Sequence, residues 1–91
     1  MACFIVGYDL HHDRDYKPIW DQLTGWGATR LVEALWVVRV NLDAGQIRQV
    51  LYDATGHRDS VAVVELKPGS NWSTIGVPDA GNNWLKANIA S

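Results

Sequence analysis

Cysteine is almost absent from this sequence, since Cys3 is the only one among 91 residues. A single thiol can form no disulfide within the chain and cannot build a cysteine-based zinc cluster. An oxidising compartment is therefore not indicated, because small proteins there are commonly held together by disulfides. We expect Cys3 to be a small, buried strand residue.

A long apolar run without charge is missing as well. The opening stretch from Met1 to Val6 has no basic residue, and Gly7 and Asp9 interrupt it soon afterwards. A signal peptide needs a basic start, and a membrane span needs about 20 apolar residues. The sequence thus predicts a cytoplasmic protein that has no membrane partner.

An excess of positive charge is also lacking. Lysine and arginine number 8 against 10 aspartate and glutamate residues, which gives a formal net charge of -2. This balance does not favour sequence-independent binding to nucleic acid, because few phosphates could be neutralised. Any nucleic-acid contact must come from a local patch, and the candidates are Arg14, Arg30 and Arg39.

The chain does have a globular composition, with 47% hydrophobic residues and five tryptophans. Its length suits one domain. A domain of this size buries only about 60 to 65% of the surface that its unfolded chain exposes, which leaves it marginally stable. A second copy would add buried area, so we expect a homodimer.

The apolar pattern predicts six elements in the order strand, helix, strand, strand, helix, strand. They are a strand from Cys3 to Asp9, a helix that starts at Asp15 and ends at Gly25 or Gly27, two strands between Ala28 and Val40 that turn near Glu33 and Ala34, a helix from Asp43 to Gly56, and a strand from Ser60 to Leu66. The six elements form two strand-helix-strand halves, and in each half the helix is expected to cross over to a parallel neighbouring strand. This pattern predicts a single α+β domain over residues 1–91, of the ferredoxin-like βαββαβ kind. Residues 70–91 form a short C-terminal extension, which we expect to pack on the sheet or on the dimer partner.

The strand around Trp36 is apolar on both faces. Trp36 and Val38 alternate onto one side, and Leu35 and Val37 onto the other. We expect one face to meet the helices and the other to meet a partner.

The richest polar cluster lies where the first strand leads into the first helix. It consists of Asp9, His11, His12, Asp13, Arg14 and Asp15. In α/β architectures ligands tend to bind at the carboxyl ends of strands, where loops and helix N-termini offer polar groups. The plainer interpretation is a solvated loop whose charges only cap the helix. Asp9 is the stronger candidate for a ligand-binding residue, because a carboxylate at the end of an apolar strand is expected to have a specific role.

Three chemistries fit this cluster. Asp9 could hold Mg²⁺ or Mn²⁺, which prefer oxygen ligands and can activate water for phosphodiester hydrolysis, provided that a two-fold axis brings a second carboxylate. Asp9, His11 and Asp13 alternate onto one side of an extended segment and could instead hold a transition metal. Finally, His11 or His12 could act as general acid or base near neutral pH while Arg14 holds a phosphate.

The chain start is an apolar strand that ends in Gly7-Tyr8-Asp9-Leu10, followed by a polar loop, a helix, a hairpin and a second helix. This pattern resembles the small CRISPR-associated ferredoxin-like protein of the spacer-acquisition complex. It looks closer to the SinR-like relatives of that protein, which share a tryptophan in the third strand, Trp36 here, and a tail that ends near Trp84-Leu85-Lys86. Toxins of the VapD type are more distant cousins.

The resemblance implies a homodimer whose first-strand aspartates face each other and share a divalent metal, and by position Asp9 is that aspartate. It implies metal-dependent cleavage of RNA or DNA in some members and a purely structural role in others. We therefore expect either an Mg²⁺- or Mn²⁺-dependent endoribonuclease acting on single-stranded RNA, with Asp9, His11 and His12 as catalytic residues, or a non-catalytic dimeric adaptor. Such an adaptor would bind nucleic acid or a protein partner from the same operon. The stretch Glu33-Ala34-Leu35-Trp36 departs from the polar-plus-serine motif of the family, and a small-molecule regulatory domain is a third alternative.

Overall fold

The computed structural model describes residues 1–9, 11 and 15–90 and contains four strands and three helices within them. The strands are β1 (Ala2–Tyr8), β2 (Thr29–Val32), β3 (Leu35–Val40) and β4 (Val61–Leu66), and the helices are α1 (Lys17–Gly25), α2 (Ala44–Ala54) and α3 (Asp79–Asn88). None of these helices combines the length and the apolar character that crossing a membrane requires. The chain is an α+β protein, as the apolar pattern predicts.

The four strands form one sheet in the order β2-β3-β1-β4, and every neighbouring pair is antiparallel. The expectation of parallel neighbours is therefore wrong. β1 and β2 run in the same direction, but β3 lies between them and pairs with β1 from Ala2↔Val40 to Gly7↔Leu35. The element order is β-α-β-β-α-β-α, so a third helix follows the six predicted elements. This helix belongs to the C-terminal extension, for which the apolar pattern predicts no helix.

Helix α2 begins at the capping box that the sequence predicts. Asp43 Oδ1 accepts a hydrogen bond from the Gln46 N–H at 2.8 Å, and Gln46 Oε1 accepts one from the Asp43 N–H at 2.9 Å. The two bonds satisfy N–H groups that have no partner within the helix. Beyond the helix end lies Gly56, whose φ of 70° carries no steric penalty at a glycine.

The hairpin turn follows the predicted pattern, whereas α1 begins at Lys17 with Tyr16 rather than Asp15 at its N-cap and without a side-chain cap there. Asp15 Oδ1 accepts a hydrogen bond from the Lys17 N–H at 3.0 Å, and Pro18 lies in the first turn, where a missing N–H costs little. Glu33 and Ala34 form the turn between β2 and β3. Local signals were sufficient here because each of these features involves neighbours in sequence.

The first core lies between the sheet and the helices α1 and α2. Alternate side chains of β1 and β3 point towards these two helices, as strand geometry requires. The core residues with little or no exposure are Phe4, Val6, Ile19, Leu23, Val38, Ile47 and Leu51.

The second face of the sheet carries a smaller core, which α3 completes. Its buried members are Cys3, Leu31, Val37, Leu85 and Ile89. Trp72 and Trp84 are partly buried against this cluster, so both side chains serve packing. The C-terminal segment therefore packs on the sheet of its own chain.

Helix α3 packs mainly on β2 and β3; in the half of this face formed by β1 and β4, Cys3, Ile5 and Leu66 are buried or partly buried against the same cluster, while Ala62 and Val64 remain exposed. In that half Val64 is 58% exposed and lies opposite Ile5 in the strand ladder. Ala62, which is also exposed, lies opposite Gly7. We call the surface of Gly7, Ala62 and Val64 the open half-face.

The close approach of α3 to β2 predicts that Gly81→Ala destabilises the fold. A Cβ at Gly81 would lie 2.8 Å from Val77 Cγ1 and 2.9 Å from Leu31 Cδ2, so the helix would have to shift. We expect the free energy of unfolding to fall by about 1–3 kcal/mol in urea denaturation. The control is Gly25→Ala at the end of α1, where no atom lies within 4 Å and no loss is expected. Equal stability of the two variants would contradict this packing.

Candidate functional site

One end of the sheet carries Asp9 and, close by, His11, two of the polar residues that the sequence singles out. Here β1 ends, β2 turns into β3, and β4 begins. The Tyr8 N–H donates to the Ala34 carbonyl at 3.3 Å, and the Asp9 N–H donates to the Ser60 carbonyl at 3.3 Å. These bonds fix the end of β1 between the hairpin turn and the start of β4. We call this region the polar edge.

Asp9 lies directly after β1 rather than within it, and it is exposed. It follows Ile5 and Gly7 in the strand alternation, which places it at the border of the open half-face. A shallow cavity of about 240 Å³ adjoins it and is lined by Gly7, Tyr8, Asp9, Ser60, Val61 and Ala62. The carboxylate is thus accessible to a cation or to a second chain.

Within the described residues no three His, Cys, Asp or Glu side chains lie together as a ready-made metal site. Asp9 and His11 are both exposed, whereas Asp13, the third member of the predicted transition-metal set, lies outside the described residues. Asp9 therefore offers one carboxylate. Mg²⁺ or Mn²⁺ at this position would take its other ligands from water or from a second chain.

His11 is positioned by two contacts. Its backbone N–H donates to Tyr16 Oη, and its Nε2 lies 3.5 Å from Oδ1 of Asp59. The His11 side chain is 47% exposed, whereas that of Asp59 is 3% exposed. A buried carboxylate can orient a half-exposed imidazole, which can then exchange a proton with a bound molecule. His12 and Arg14, the other candidates in this loop, lie outside the described residues.

Four aromatic side chains, Tyr8, Tyr16, Trp20 and Trp36, form an aromatic cluster behind the polar edge. The Tyr8 hydroxyl accepts hydrogen bonds from Trp20 Nε1 at 2.7 Å and from Trp36 Nε1 at 3.2 Å. Tyr16 stacks on Tyr8 and on Trp20, with ring centroids 5.6 Å and 6.1 Å apart. One hydroxyl oxygen thereby joins β1, α1 and β3 and satisfies two indole N–H groups that need a partner when buried.

Arg30 of β2 lies over this cluster. Its guanidinium carbon is 4.9 Å from the centroid of the Trp20 ring and 4.7 Å from that of Trp36. The faces of indole rings attract a cation at such distances. Arg39 is exposed and lies on the opposite face of the sheet, because it follows Val37 rather than Trp36 in the alternation of β3. Arg30 and Arg39 therefore do not line one groove.

Two of the groups with a shifted pKa, Cys3 and Asp53, lie away from the polar edge. Burial raises the pKa of the Cys3 thiol, which favours its neutral form. Hydrogen bonds from His57 and Gln49 hold the pKa of the exposed Asp53 carboxyl below its usual value. His57, which is exposed as the sequence suggests, also stacks on Tyr52. The contact between Asp53 and His57 lies at the C-terminal end of α2. Any stability that this contact adds is lost as pH falls through the lowered pKa of Asp53.

No protein-family model matches this chain, and no solved structure gives a significant match. The structure itself defines a small α+β protein with a four-stranded antiparallel sheet and three helices in the described residues. The features that bear on its function are the polar edge, the aromatic cluster and the open half-face.

Sequence reasoning missed Asp59 and the shared hydrogen bonding of Trp20 and Trp36 to the Tyr8 hydroxyl. Asp59, which precedes β4, is buried and lines a cavity of about 310 Å³ together with Tyr16. Helical spacing predicts that Trp20 lies on the apolar face of α1, but no local pattern pairs it with Trp36 of β3. Only the tertiary fold brings both indoles to the Tyr8 hydroxyl.

Removal of the Tyr8 hydroxyl should destabilise the fold more than removal of an exposed hydroxyl. In Tyr8→Phe the N–H groups of Trp20 and Trp36 lose their acceptor, and burying an unsatisfied donor costs about 1–3 kcal/mol. The control is Tyr52→Phe, which removes an exposed hydroxyl that donates to the His57 carbonyl at 3.1 Å, and little change is expected there. Urea denaturation followed by tryptophan fluorescence measures both variants. Equal loss in the two variants would show that Tyr8 is not the shared anchor.

Proposed function

We propose that this protein is a cytoplasmic, homodimeric endoribonuclease that uses Mg²⁺ or Mn²⁺ to cleave single-stranded RNA. The observation that carries the proposal is the exposed Asp9 at the end of β1, at the border of the open half-face. The resemblance to SinR-like and VapD-type proteins supports the same function, because it implies a strand-end aspartate that is shared across a dimer.

We infer a ferredoxin-like architecture for the part of the chain that precedes α3. The first six elements follow the order β-α-β-β-α-β, and the strand order β2-β3-β1-β4 interleaves the two halves. Helices α1 and α2 pack on the same face of the sheet. In such a split βαβ arrangement α3 is an addition that covers part of the second face.

The open half-face is the surface that a second copy would cover. Val64 is 58% exposed there, and β4 is an edge strand, with β1 as its one strand neighbour among the described residues. Packing two copies about a two-fold axis would bury apolar side chains that a small domain otherwise leaves in water. The same packing would bring the two Asp9 carboxylates towards each other, because Asp9 borders this surface.

Two facing carboxylates repel each other, and a divalent cation between them converts this repulsion into a binding site. The residues fit such a group, because Asp9 supplies a hard oxygen ligand from each copy. Mg²⁺ keeps several water ligands where a protein offers only one or two carboxylates. A bound metal would supply activation of a water molecule that attacks the phosphodiester.

His11 would transfer the proton that the leaving oxygen needs. When the P–O bond breaks, the departing oxygen takes a proton from the imidazolium, which a later proton uptake restores. The half-exposed ring of His11, beside the buried Asp59, is suited to this role. His12 is the second candidate for this transfer, and Arg14 would hold a non-bridging phosphate oxygen; both lie outside the described residues.

A non-catalytic dimeric adaptor is the second candidate function. Two features of the sequence favour it: the stretch Glu33-Ala34-Leu35-Trp36 departs from the family's polar-plus-serine motif, and the formal net charge is -2. Such an adaptor would form the same dimer and bind nucleic acid or a protein partner from its operon without cleaving RNA. Cleavage assays therefore separate the two candidates.

If Asp9 holds the metal, Asp9→Asn should abolish Mg²⁺- or Mn²⁺-dependent cleavage of single-stranded RNA and leave the dimer intact. The substitution keeps the shape of the side chain and removes its charge. The control is Asp21→Asn, which changes another exposed carboxylate, ion-paired with Lys17 at 2.7 Å on the surface of α1, and should cleave like wild type. The measurement is cleavage of labelled RNA by identically purified proteins, with and without a chelator.

Two outcomes of this assay would count against the enzyme. Equal cleavage by wild type and Asp9→Asn would point to a contaminant or to another site. No cleavage by wild type on RNA or DNA with varied metals would favour the adaptor function.

A separate substitution tests the dimer. Val64→Lys places a charge in the open half-face, so we expect it to sediment as a monomer at concentrations where the wild type is a dimer. Val50→Lys is the matched control, since Val50 is 37% exposed on α2, away from the proposed interface. If Val64→Lys dimerises as well as Val50→Lys does, the two copies meet elsewhere.

A further inference from the structure

The positive charge of Arg30 has no acidic partner among the described residues. It makes no hydrogen bond or ion pair within the described part of the chain, and its Nε is buried without an acceptor. Removing part of a charged group from water without a polar partner is costly. Contact with two indole faces offsets some of this cost but satisfies none of the guanidinium N–H donors.

The guanidinium is held in place before any ligand arrives. Its carbon lies 4.9 Å and 4.7 Å from the ring centroids of Trp20 and Trp36, and both of these indoles are bonded to the Tyr8 hydroxyl. Arg30 also lies directly opposite Trp36 in the β2–β3 ladder. Ordering a long side chain normally opposes ligand binding, and here most of that ordering has already occurred.

The terminal nitrogens of Arg30 remain accessible. Nε is its only nitrogen that is buried without an acceptor, and the residue as a whole is half-buried on the edge strand β2. Nη1 and Nη2 therefore reach the surface beside the aromatic cluster. The parallel N–H groups of a guanidinium match two oxygens of one phosphate, which a lysine ammonium does not.

We propose that Arg30 is a preformed phosphate-binding subsite that grips the backbone of single-stranded RNA. The inference rests on the proposed function, because it takes RNA as the substrate, and it adds the place at which one phosphate is held. Among the described acidic side chains none forms an ion pair with Arg30, so none of them competes with a phosphate there. Arg39, exposed on the opposite face without an aromatic contact, is not organised in this way.

The binding test uses metal-free protein and two ligands. Inorganic phosphate is titrated first, and a short single-stranded RNA without terminal phosphates is titrated second. We expect both to shift the Nε–H signal of Arg30 in nitrogen-edited NMR spectra and to change the fluorescence of the neighbouring tryptophans. A shift with inorganic phosphate but not with RNA would overturn the assignment to an RNA strand, and no shift with either would overturn the subsite.

Two variants then separate the effect of the paired guanidinium N–H donors from the effect of the positive charge. Arg30→Lys keeps the charge and loses the paired donors, so its affinity for the RNA should fall about tenfold or more. Arg39→Lys makes the same change on the opposite face and should bind like wild type. Equal affinity of Arg30→Lys and wild type, or an equal loss in both variants, would overturn the proposal. If Arg30→Lys does not fold, the wild-type Nε–H signal decides.

Failure of this subsite can be told apart from failure of the proposed enzyme, because phosphate binding needs neither a metal nor cleavage. Cleavage that depends on Asp9 together with unchanged RNA affinity in Arg30→Lys would remove the subsite alone. RNA binding that depends on Arg30 together with no cleavage under any metal would remove the enzyme and support the subsite.

Discussion

The Tyr8 hydroxyl ties the last residue of β1 to α1 and to β3 through one oxygen atom, which accepts the indole N–H groups of Trp20 and Trp36. Their two rings are thereby fixed in orientation, and the guanidinium of Arg30 lies over both of them. Tyr16 stacks on Tyr8 and accepts the backbone N–H of His11, the histidine that faces the buried Asp59. The polar edge is therefore built outward from a buried aromatic cluster, and its loops do not have to position these side chains alone.

The two faces of the sheet are covered by different helices and to different extents. One face is closed by α1 and α2, which bury a continuous set of aliphatic side chains. On the other face α3 covers β2 and β3, and its close approach needs the missing side chain of Gly81 beside Leu31. The remaining half-face keeps Val64 exposed on an edge strand. A small domain gains buried apolar area when such a surface is covered, and this is the physical basis of the proposed dimer.

Features that depend on neighbours in sequence could be predicted from the sequence. The capping box at Asp43 and the turn at Glu33 and Ala34 are of this kind, because each is set by a few adjacent residues. Helix α3 could not be predicted, since its segment has weak helix formers and includes Gly81, and tertiary packing overrides such preferences. Asp9 could be named as a candidate from its place after an apolar strand. The burial of Asp59 depends instead on contacts between distant segments, which no local pattern contains.

The position of Asp9 and the proposed role of Arg30 also depend on each other through charge. Asp9 follows Tyr8 directly, and the backbone bonds to Ala34 and Ser60 fix both residues. A chain with a net charge of -2 needs a local positive charge to hold a polyanion, and the proposed role of Arg30 rests on such a charge, which no described acidic side chain pairs with. An exposed Asp9 carboxylate would repel the same strand unless a cation neutralised it. By strand alternation Arg30 shares the face of Trp36 and Tyr8, whereas Asp9 borders the other face, so an RNA strand held at the proposed Arg30 subsite could reach Asp9 only across the end of the sheet and with a cation that neutralises the carboxylate.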